Sequence, residues 1–245
     1  MSDIPGVSQT TIADLVPGVR EALQNRQEVT PETAAPWIKK SLKEITRIQP
    51  FEELRKTGPT VLLTQNQFAY PVSFFLAPGD DYGAHSSFAI YPSGLQGITY
   101  NLKYSTPNAI EPLLHIQNGG LPSKWTRYGT QFLLGPPPNQ GYYIYMRYQV
   151  RHPFNEANLP STPVLIDPDW FDIVEYAAAE RGAVALRWND QARFLHDLVF
   201  GDPEFQTSDG KKGRPGLIQA RKLQMEQDEE QNVRQVTVVV PTYSR

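Results

Sequence analysis

Carboxylates are the side chains of this chain whose spacing comes nearest to that of a catalytic or metal-binding site. Asp167, Asp169 and Asp172 lie close together in the sequence, a grouping that acid–base catalysis or a divalent cation uses. A helix is predicted to begin at the same point. Carboxylates there accept hydrogen bonds from free backbone N–H groups and complement the helix dipole, a role that accounts for all three.

The remaining candidates for chemistry lack the spacing that reactions require. The four histidines are far apart in the sequence, and none has a second ligand at a metal-binding spacing. Gly210-Lys211 lacks the upstream glycine of a phosphate-binding loop, and no nucleophile elbow or zinc-protease helix occurs. With no cysteine, disulfides and thiolate catalysis are excluded. We therefore predict no catalytic residues, no cofactor and no metal: a protein that is not an enzyme.

Composition predicts a soluble protein rather than a membrane or nucleic-acid protein. The 245 residues carry a formal net charge of −3, so no global field draws the chain to polyanions. No apolar run approaches the ~18 residues of a membrane span, and the start of the chain is unlike a signal peptide. Synthesis in a cytoplasm without membrane attachment is the expectation.

Helical patterns occupy the first part of the chain. Apolar spacing predicts a helix over 11–24, which a capping box of Thr11 and Asp14 begins. A second helix begins at Thr30-Pro31, or one turn later at Pro36, and runs to about Ile48.

Strand patterns and turn residues dominate the next hundred residues. The predicted strands are 60–63, 68–76, 87–91, 98–104, 131–134 and 142–148. Short strands between turns favour a small antiparallel β-barrel or sandwich.

A helical hairpin and a tail complete the pattern. The first helix of the hairpin begins at Asp167-Pro168, the second is capped by Asn189-Asp190, and Gly201 ends it. An exposed loop is predicted over 202–216, a weak helix over 217–232, and a strand over 233–240. The predicted class is α+β: a helical domain of residues 1–56 and 157–201, an inserted β-domain of 57–156, and a loop and C-terminal arm of 202–245.

Seven aromatic side chains cluster in the predicted β-domain. As a platform they would stack on sugars or bases, which makes a carbohydrate-binding module one alternative function. Aromatic residues on strands more often pack in a core or at a subunit interface, and we prefer this interpretation. The residues are Trp125, Tyr128, Phe132, Tyr142, Tyr143, Tyr145 and Tyr148.

The order of elements resembles that of the head-to-tail adaptor (connector) proteins of tailed bacteriophages. Two helices precede a strand entry at Ala69-Tyr70-Pro71, and the segments 133–138 and 142–148 close the β-domain. An Ala-rich helix pair over about 167–200 follows. The resemblance covers residues 10 to 200, and the chain departs from the pattern at 77–127 and beyond 201.

This resemblance implies a virion protein at the head–tail interface. It implies a twelve-fold ring below the portal, bound to neighbouring subunits and a tail or nozzle protein. Genomic DNA would pass through the ring without sequence-specific binding, and the C-terminal arm would reach the portal. Another neck or tail component, such as a tail terminator or tail-tube-associated protein, is an alternative that fits the same composition.

The predicted partner-binding residues lie in the arm and in the helical hairpin. An apolar strand at the end of a chain requires a partner, and strand addition gives affinity through the backbone. The candidates are Val236, Val238, Val240, Tyr243, Trp170 and Phe171.

Overall fold

The computed structural model describes residues 10–92, 99–206 and 212–225. These residues form two compact units. The helical unit contains the described residues up to Leu42, Phe154–Val164, and those from Pro168 onward; the sheet unit contains Lys43–Pro153 and Leu165–Asp167. The sequence prediction placed the corresponding boundaries at 56/57 and 156/157, whereas the division in the structure falls at 42/43 and 153/154.

The described elements mix helices and strands, which confirms the α+β class. The α-helices are α1 (Val16–Ala22), α2 (Pro31–Ile48), α3 (Pro107–Leu114), α4 (Phe171–Ala185) and α5 (Asn189–Phe200). The strands are β1 (Arg55–Thr57), β2 (Val61–Leu62), β3 (Ala69–Pro71), β4 (Tyr82–Pro92), β5 (Tyr100–Asn101), β6 (Lys103–Tyr104), β7 (Lys124–Tyr128), β8 (Gln131–Gly135), β9 (Tyr142–Val150), β10 (Gly201–Gln206) and β11 (Lys212–Pro215). Short 3-10 helices cover Ile12–Leu15, Glu52–Leu54, Val72–Phe75, Leu159–Ser161 and Pro168–Trp170.

Helix starts in the helical unit follow the capping chemistry of the sequence. The backbone N–H and the hydroxyl of Thr11 both donate to Oδ2 of Asp14 at 2.8 Å, which confirms the capping box. These bonds hold the pKa of Asp14 below its usual range. The first turn is a 3-10 helix, and α1 follows it with Pro17 in its first turn. Helix α2 begins at Pro31, so Pro36 lies inside it.

Helix α4 is enclosed by its neighbours. Ala177, Ala178 and Ala179 are all buried, although successive helical residues point about 100° apart. Helices α1 and α5 pack against α4. At Gly182, a Cβ atom would come within 2.8 Å of the Trp37 ring, so glycine permits this approach. The small residues of α4 therefore allow its neighbours to approach closely.

The sheet unit contains two sheets that share one core. The first has the strand order β1-β9-β4-β5, with β2 also paired to β9. The second has the order β3-β8-β7-β6. The rings of Phe88 on β4 and Phe132 on β8 lie 5.0 Å apart, and Trp125 on β7 lies 5.1 Å from Phe88. The described strands therefore form a sandwich with an aromatic core, and they do not close into a barrel.

Several elements differ from the predictions. Helix α3 and strand β7 were not predicted, and 68–76 is a short strand followed by a 3-10 helix. Strand β6 pairs with β7 in parallel, so the sheets are not purely antiparallel. The predicted loop over 202–216 is wrong, because β10 and β11 form an antiparallel hairpin. Residues 217–225 are helical, whereas the predicted strand over 233–240 lies outside the described residues.

Thr126 on β7 is a buried hydroxyl without a hydrogen-bond partner in the described part of the chain. Side chains alternate along a strand, so Thr126 points away from the core that Trp125 enters. Helix α3 packs on that outer face, close to Gly135 of β8. An unpaired buried hydroxyl costs about 1–3 kcal/mol of stability.

Replacement of this hydroxyl should stabilise the protein. Thr126→Val keeps the shape and removes the unpaired group, so we expect the free energy of unfolding to rise by about 1 kcal/mol. Thermal unfolding would show this as a higher Tm, by about 2–4 °C for a chain of this size.

Thr162→Val is the matched control. Thr162 is equally buried, but its hydroxyl accepts a hydrogen bond from the Asn155 N–H at 3.0 Å. We expect this variant to lower the Tm. Equal destabilisation by both substitutions would show that the Thr126 hydroxyl is satisfied in solution.

Candidate partner-binding surfaces

The two predicted binding residues of the hairpin lie at the start of α4. Trp170 ends the preceding 3-10 helix and is only 1% exposed. Phe171 is half-buried. Trp170 thus packs inside the helical unit, where it fixes the start of α4. A contact of either residue with a partner stays a prediction.

The other predicted binding residues belong to the C-terminal arm. Val236, Val238, Val240 and Tyr243 all lie outside the described residues. Their role in partner binding also stays a prediction.

The aromatic cluster divides into buried and outward-facing rings. The core between the sheets takes Trp125, Phe132, Tyr142 and Tyr148. Tyr128 and Tyr143 are exposed, and Tyr145 is half-buried. Most of the cluster therefore serves packing, which is the preferred prediction.

The outward face of β9 carries most of the remaining rings. Tyr143 stacks on its cross-strand neighbour Tyr91, with ring centroids 5.5 Å apart, and Leu62 of β2 lies on its other side. Further along β9, the guanidinium of Arg147 lies over the ring of Tyr145. Because Tyr91 and Tyr143 cover each other's ring faces, less ring area remains for a sugar.

The far end of this face is covered. Gln149 Nε2 donates to the Thr46 carbonyl at 2.7 Å, and its Oε1 accepts from the Phe51 N–H at 3.0 Å. The buried amide of Gln149 thereby attaches the last turn of α2 to the sheet. Among the described residues of this face on β9, Tyr143 and Arg147 are exposed and Tyr145 is half-buried.

The edge strand β6 and its neighbour β7 carry a second exposed surface, which was not predicted from the sequence. We define the cationic edge as Lys103, Tyr104, Lys124, Arg127 and Tyr128. Tyr104 and Tyr128 are 63% and 67% exposed. A signal existed in the sequence, since Glu111 is the one carboxylate between Tyr82 and Asn155.

Glu175 on α4 is partly buried against α1, where its charged form is disfavoured. Its Oε2 lies so close to α1 that a Cβ at Gly18 would be 2.0 Å away. Burial, together with the charges of Asp172 and Glu21, raises the pKa of Glu175 to about 7. Asp172 itself pairs with Arg221 at 3.6 Å. The contact between α1 and α4 therefore favours a protonated Glu175.

His152 lies in the sheet unit as a neutral structural group. Its Nε2 accepts a hydrogen bond from the Leu165 N–H at 3.0 Å, so Nδ1 carries the proton and donates to the Pro153 carbonyl. Burial lowers the pKa of His152 to about 4. The imidazole connects the end of β9 to the short segment 165–167 of the same unit.

The described residues were expected to hold neither a metal ion nor a membrane span. No group of three or more His, Cys, Asp or Glu side chains there is placed to hold a metal ion. Within the same residues, no helix has the length and apolarity that a bilayer crossing needs.

The described residues combine a helical unit with a β-sandwich in an α+β fold. Comparison with protein families defines the class: the family described as SU10 adaptor protein matches residues 10–202. The chain belongs to this family, whose members are head-to-tail adaptor proteins of bacteriophages. The resemblance predicted from the sequence is thus confirmed. A search of curated proteins gave no match.

The placement of Glu175 predicts a pH-dependent stability. The pKa in the folded state is raised above its ordinary value, so stability falls as pH rises from about 4.5 to about 7. Above that range Glu175 is ionised in the folded protein, and the free energy of unfolding is lowered by the full cost of burying this charge. Glu175→Gln removes this cost, and we expect a Tm a few degrees higher at pH 8 with little change at pH 4.5.

Glu53→Gln is the control for charge removal, because Glu53 is exposed. It should leave the Tm nearly unchanged at both pH values. A gain from Glu175→Gln of the same size at pH 4.5 and pH 8 would contradict the assignment of the cost to ionisation.

Proposed function

We propose that this adaptor forms a homo-oligomeric ring below the portal and links the capsid to the tail around the DNA channel. The observation that carries the proposal is the family match over residues 10–202. That range includes every described element of the helical unit up to α5 and the whole sheet unit. The proposed place in the virion is the neck, and the proposed ring has twelve subunits.

The proposed partners are neighbouring subunits, the portal protein and a tail or nozzle protein. Binding at these surfaces is the whole activity, with no catalytic step. Genomic DNA passes through the ring without sequence-specific contacts. The stable α1–α4–α5 packing suits a subunit that must hold its shape while its surfaces are occupied.

The C-terminal arm is the proposed attachment to the portal. Val236, Val238, Val239 and Val240 form a run of high strand propensity. An extended peptide of this kind binds a sheet edge by backbone hydrogen bonds, with alternate side chains in pockets. Tyr243 would extend the same contact.

Negative-stain electron microscopy of the protein, alone and with purified portal rings, tests the place in the virion. We expect a ring of adaptor density on one end of the portal. A protein that ignores portals and binds tail tubes instead would overturn the proposal. That result would favour the alternative of a tail terminator or tail-tube-associated protein.

Charged substitutions in the arm test the attachment. With Val236→Asp, Val238→Asp and Val240→Asp together, we expect the Tm to stay unchanged and portal binding to fall at least about tenfold. The reason is that each buried, unpaired carboxylate costs more than the ~1.4 kcal/mol that a tenfold change represents. Co-sedimentation with portal rings measures this.

Polar substitution outside the predicted strand provides the control. Gln27→Asp, Gln65→Asp and Gln140→Asp add the same charge at exposed positions outside the arm. They should leave portal binding within about twofold. Normal attachment of the triple valine variant would exclude the arm as the portal contact.

A further inference from the structure

The charge of this chain is distributed unevenly. Between Tyr82 and Asn155 the sequence has one carboxylate, Glu111, against five cationic side chains. Of these five, only Arg151 forms an ion pair among the described residues, with Asp81 at 3.2 Å. The others are Lys103, Lys124, Arg127 and Arg147. The sheet unit therefore presents positive charge that the described residues do not neutralise.

Two of these cations are direct neighbours. Strands β6 and β7 pair in parallel with Lys103 beside Lys124. Both side chains point away from the core, since Trp125 of β7 enters it. Neither ammonium group has a hydrogen bond or an ion pair within the described residues. Two like charges side by side repel, and an anionic ligand between them would remove the repulsion.

The backbone holds the cationic edge in place. The Lys103 N–H donates to the Ser123 carbonyl at 2.9 Å, and the Ser105 N–H donates to the Trp125 carbonyl at 2.8 Å. Leu102, immediately before β6, is buried in the core. The edge is thus a fixed surface, and a ligand would meet it with little loss of backbone entropy.

The third cation is oriented by its own contacts. The Arg127 guanidinium lies 4.7 Å from the centroid of the Tyr82 ring, and its Nε donates to the Gly129 carbonyl at 3.2 Å. The remaining N–H groups of the guanidinium face solvent and match the geometry of a carboxylate. Arg127 and Tyr104 are on the same side of the sheet as Trp125. Lys103, Lys124 and Tyr128 are on the other side, so the cations border the edge strand from both faces and the exposed rings of Tyr104 and Tyr128 lie one on each face.

The same chain contains a segment of opposite charge. Glu226, Asp228, Glu229 and Glu230 place four carboxylates within five residues. This acidic segment, residues 226–230, directly follows the helical residues 217–225 of the helical unit. Its four negative charges complement the three cations of the edge and Arg147 of the same sheet unit.

We propose that the cationic edge of one copy binds the acidic segment of a second copy. The inference rests on the proposed ring, and it names the contact between neighbouring subunits. The two surfaces are different, so each copy offers one edge and one segment to different neighbours. A head-to-tail contact of this kind closes into a ring when its rotation allows.

Reciprocal charge reversal tests this contact. One variant, the reversed edge, carries Lys103→Glu, Lys124→Glu and Arg127→Glu. The other, the reversed segment, carries Glu226→Lys, Asp228→Lys, Glu229→Lys and Glu230→Lys. Each alone should weaken self-association on portal rings about tenfold or more, measured by mass photometry and electron microscopy at low salt.

An equimolar mixture of the two variants should restore assembly. In an alternating ring, each reversed edge meets a reversed segment and each native edge meets a native segment. A chain with both reversals should also assemble. Lys40→Glu, Arg47→Glu and Arg193→Glu together form the control, which has the same charge change on exposed residues and should assemble normally. The Tm of every variant is measured to verify folding.

Three results would overturn the inference. Normal rings from the reversed edge would exclude the edge from the subunit contact. Rescue in the doubly reversed chain without rescue in the mixture would place the contact within one copy. Loss of binding to a fluorescent DNA duplex in the reversed edge, with normal assembly of the reversed segment, would make nucleic acid the occupant.

Failure of the proposed function gives a different pattern. If the unmodified protein forms no ring on portals, both the proposed function and the subunit contact are overturned. If it forms rings and charge reversal changes nothing, only the contact between the edge and the segment is wrong.

Discussion

The helical unit depends on the enclosure of α4. No residue of α4 from Phe171 to Ala183 is exposed, and at the closest helix contacts the sequence supplies the small residues Ala177, Ala178, Ala179 and Gly182. Even one added methyl group at Gly182 would meet the Trp37 ring at 2.8 Å. Overpacking of this kind costs about 1–3 kcal/mol. The one large polar exception on the α1 side is Glu175, whose carboxylate lies against Gly18.

The core of the sheet unit, in contrast, is built from large side chains. Eight of the fourteen buried residues in this core cluster are aromatic, and edge-to-face pairs of these rings fill much of the space between the two sheets. Phe88 alone lies within 5.1 Å, centroid to centroid, of Phe75, Phe132 and Trp125. Each such pair adds about 0.5–1.5 kcal/mol beyond its buried area. A core that fixes both sheets also fixes the positions of the side chains that remain exposed on their outer faces and edges.

Local chemistry made some elements predictable from the sequence. Helix starts follow from the capping side chain of Asp14 and from Pro31, and Gly201 ends α5 with a positive φ of 94°. Helix α3 could not be predicted in this way, because eight residues with Pro107 and Pro112 resemble a loop. Its stability comes from packing on the sheet, which periodicity in so short a segment does not reveal.

The candidate surfaces were harder to predict for an electrostatic reason. Net charge is a sum over the chain, whereas a partner at the surface senses charges within about 10 Å at ordinary ionic strength. A formal charge of −3 therefore concealed a cationic edge and an acidic segment that cancel in the sum. Lys103 and Lys124 are 21 positions apart in the sequence, and they become neighbours only through the parallel pairing of β6 and β7. The sequence alone did not predict this pairing. A positively charged surface and a negatively charged segment on the same chain suit an assembly of identical copies, because each copy then carries both halves of the contact.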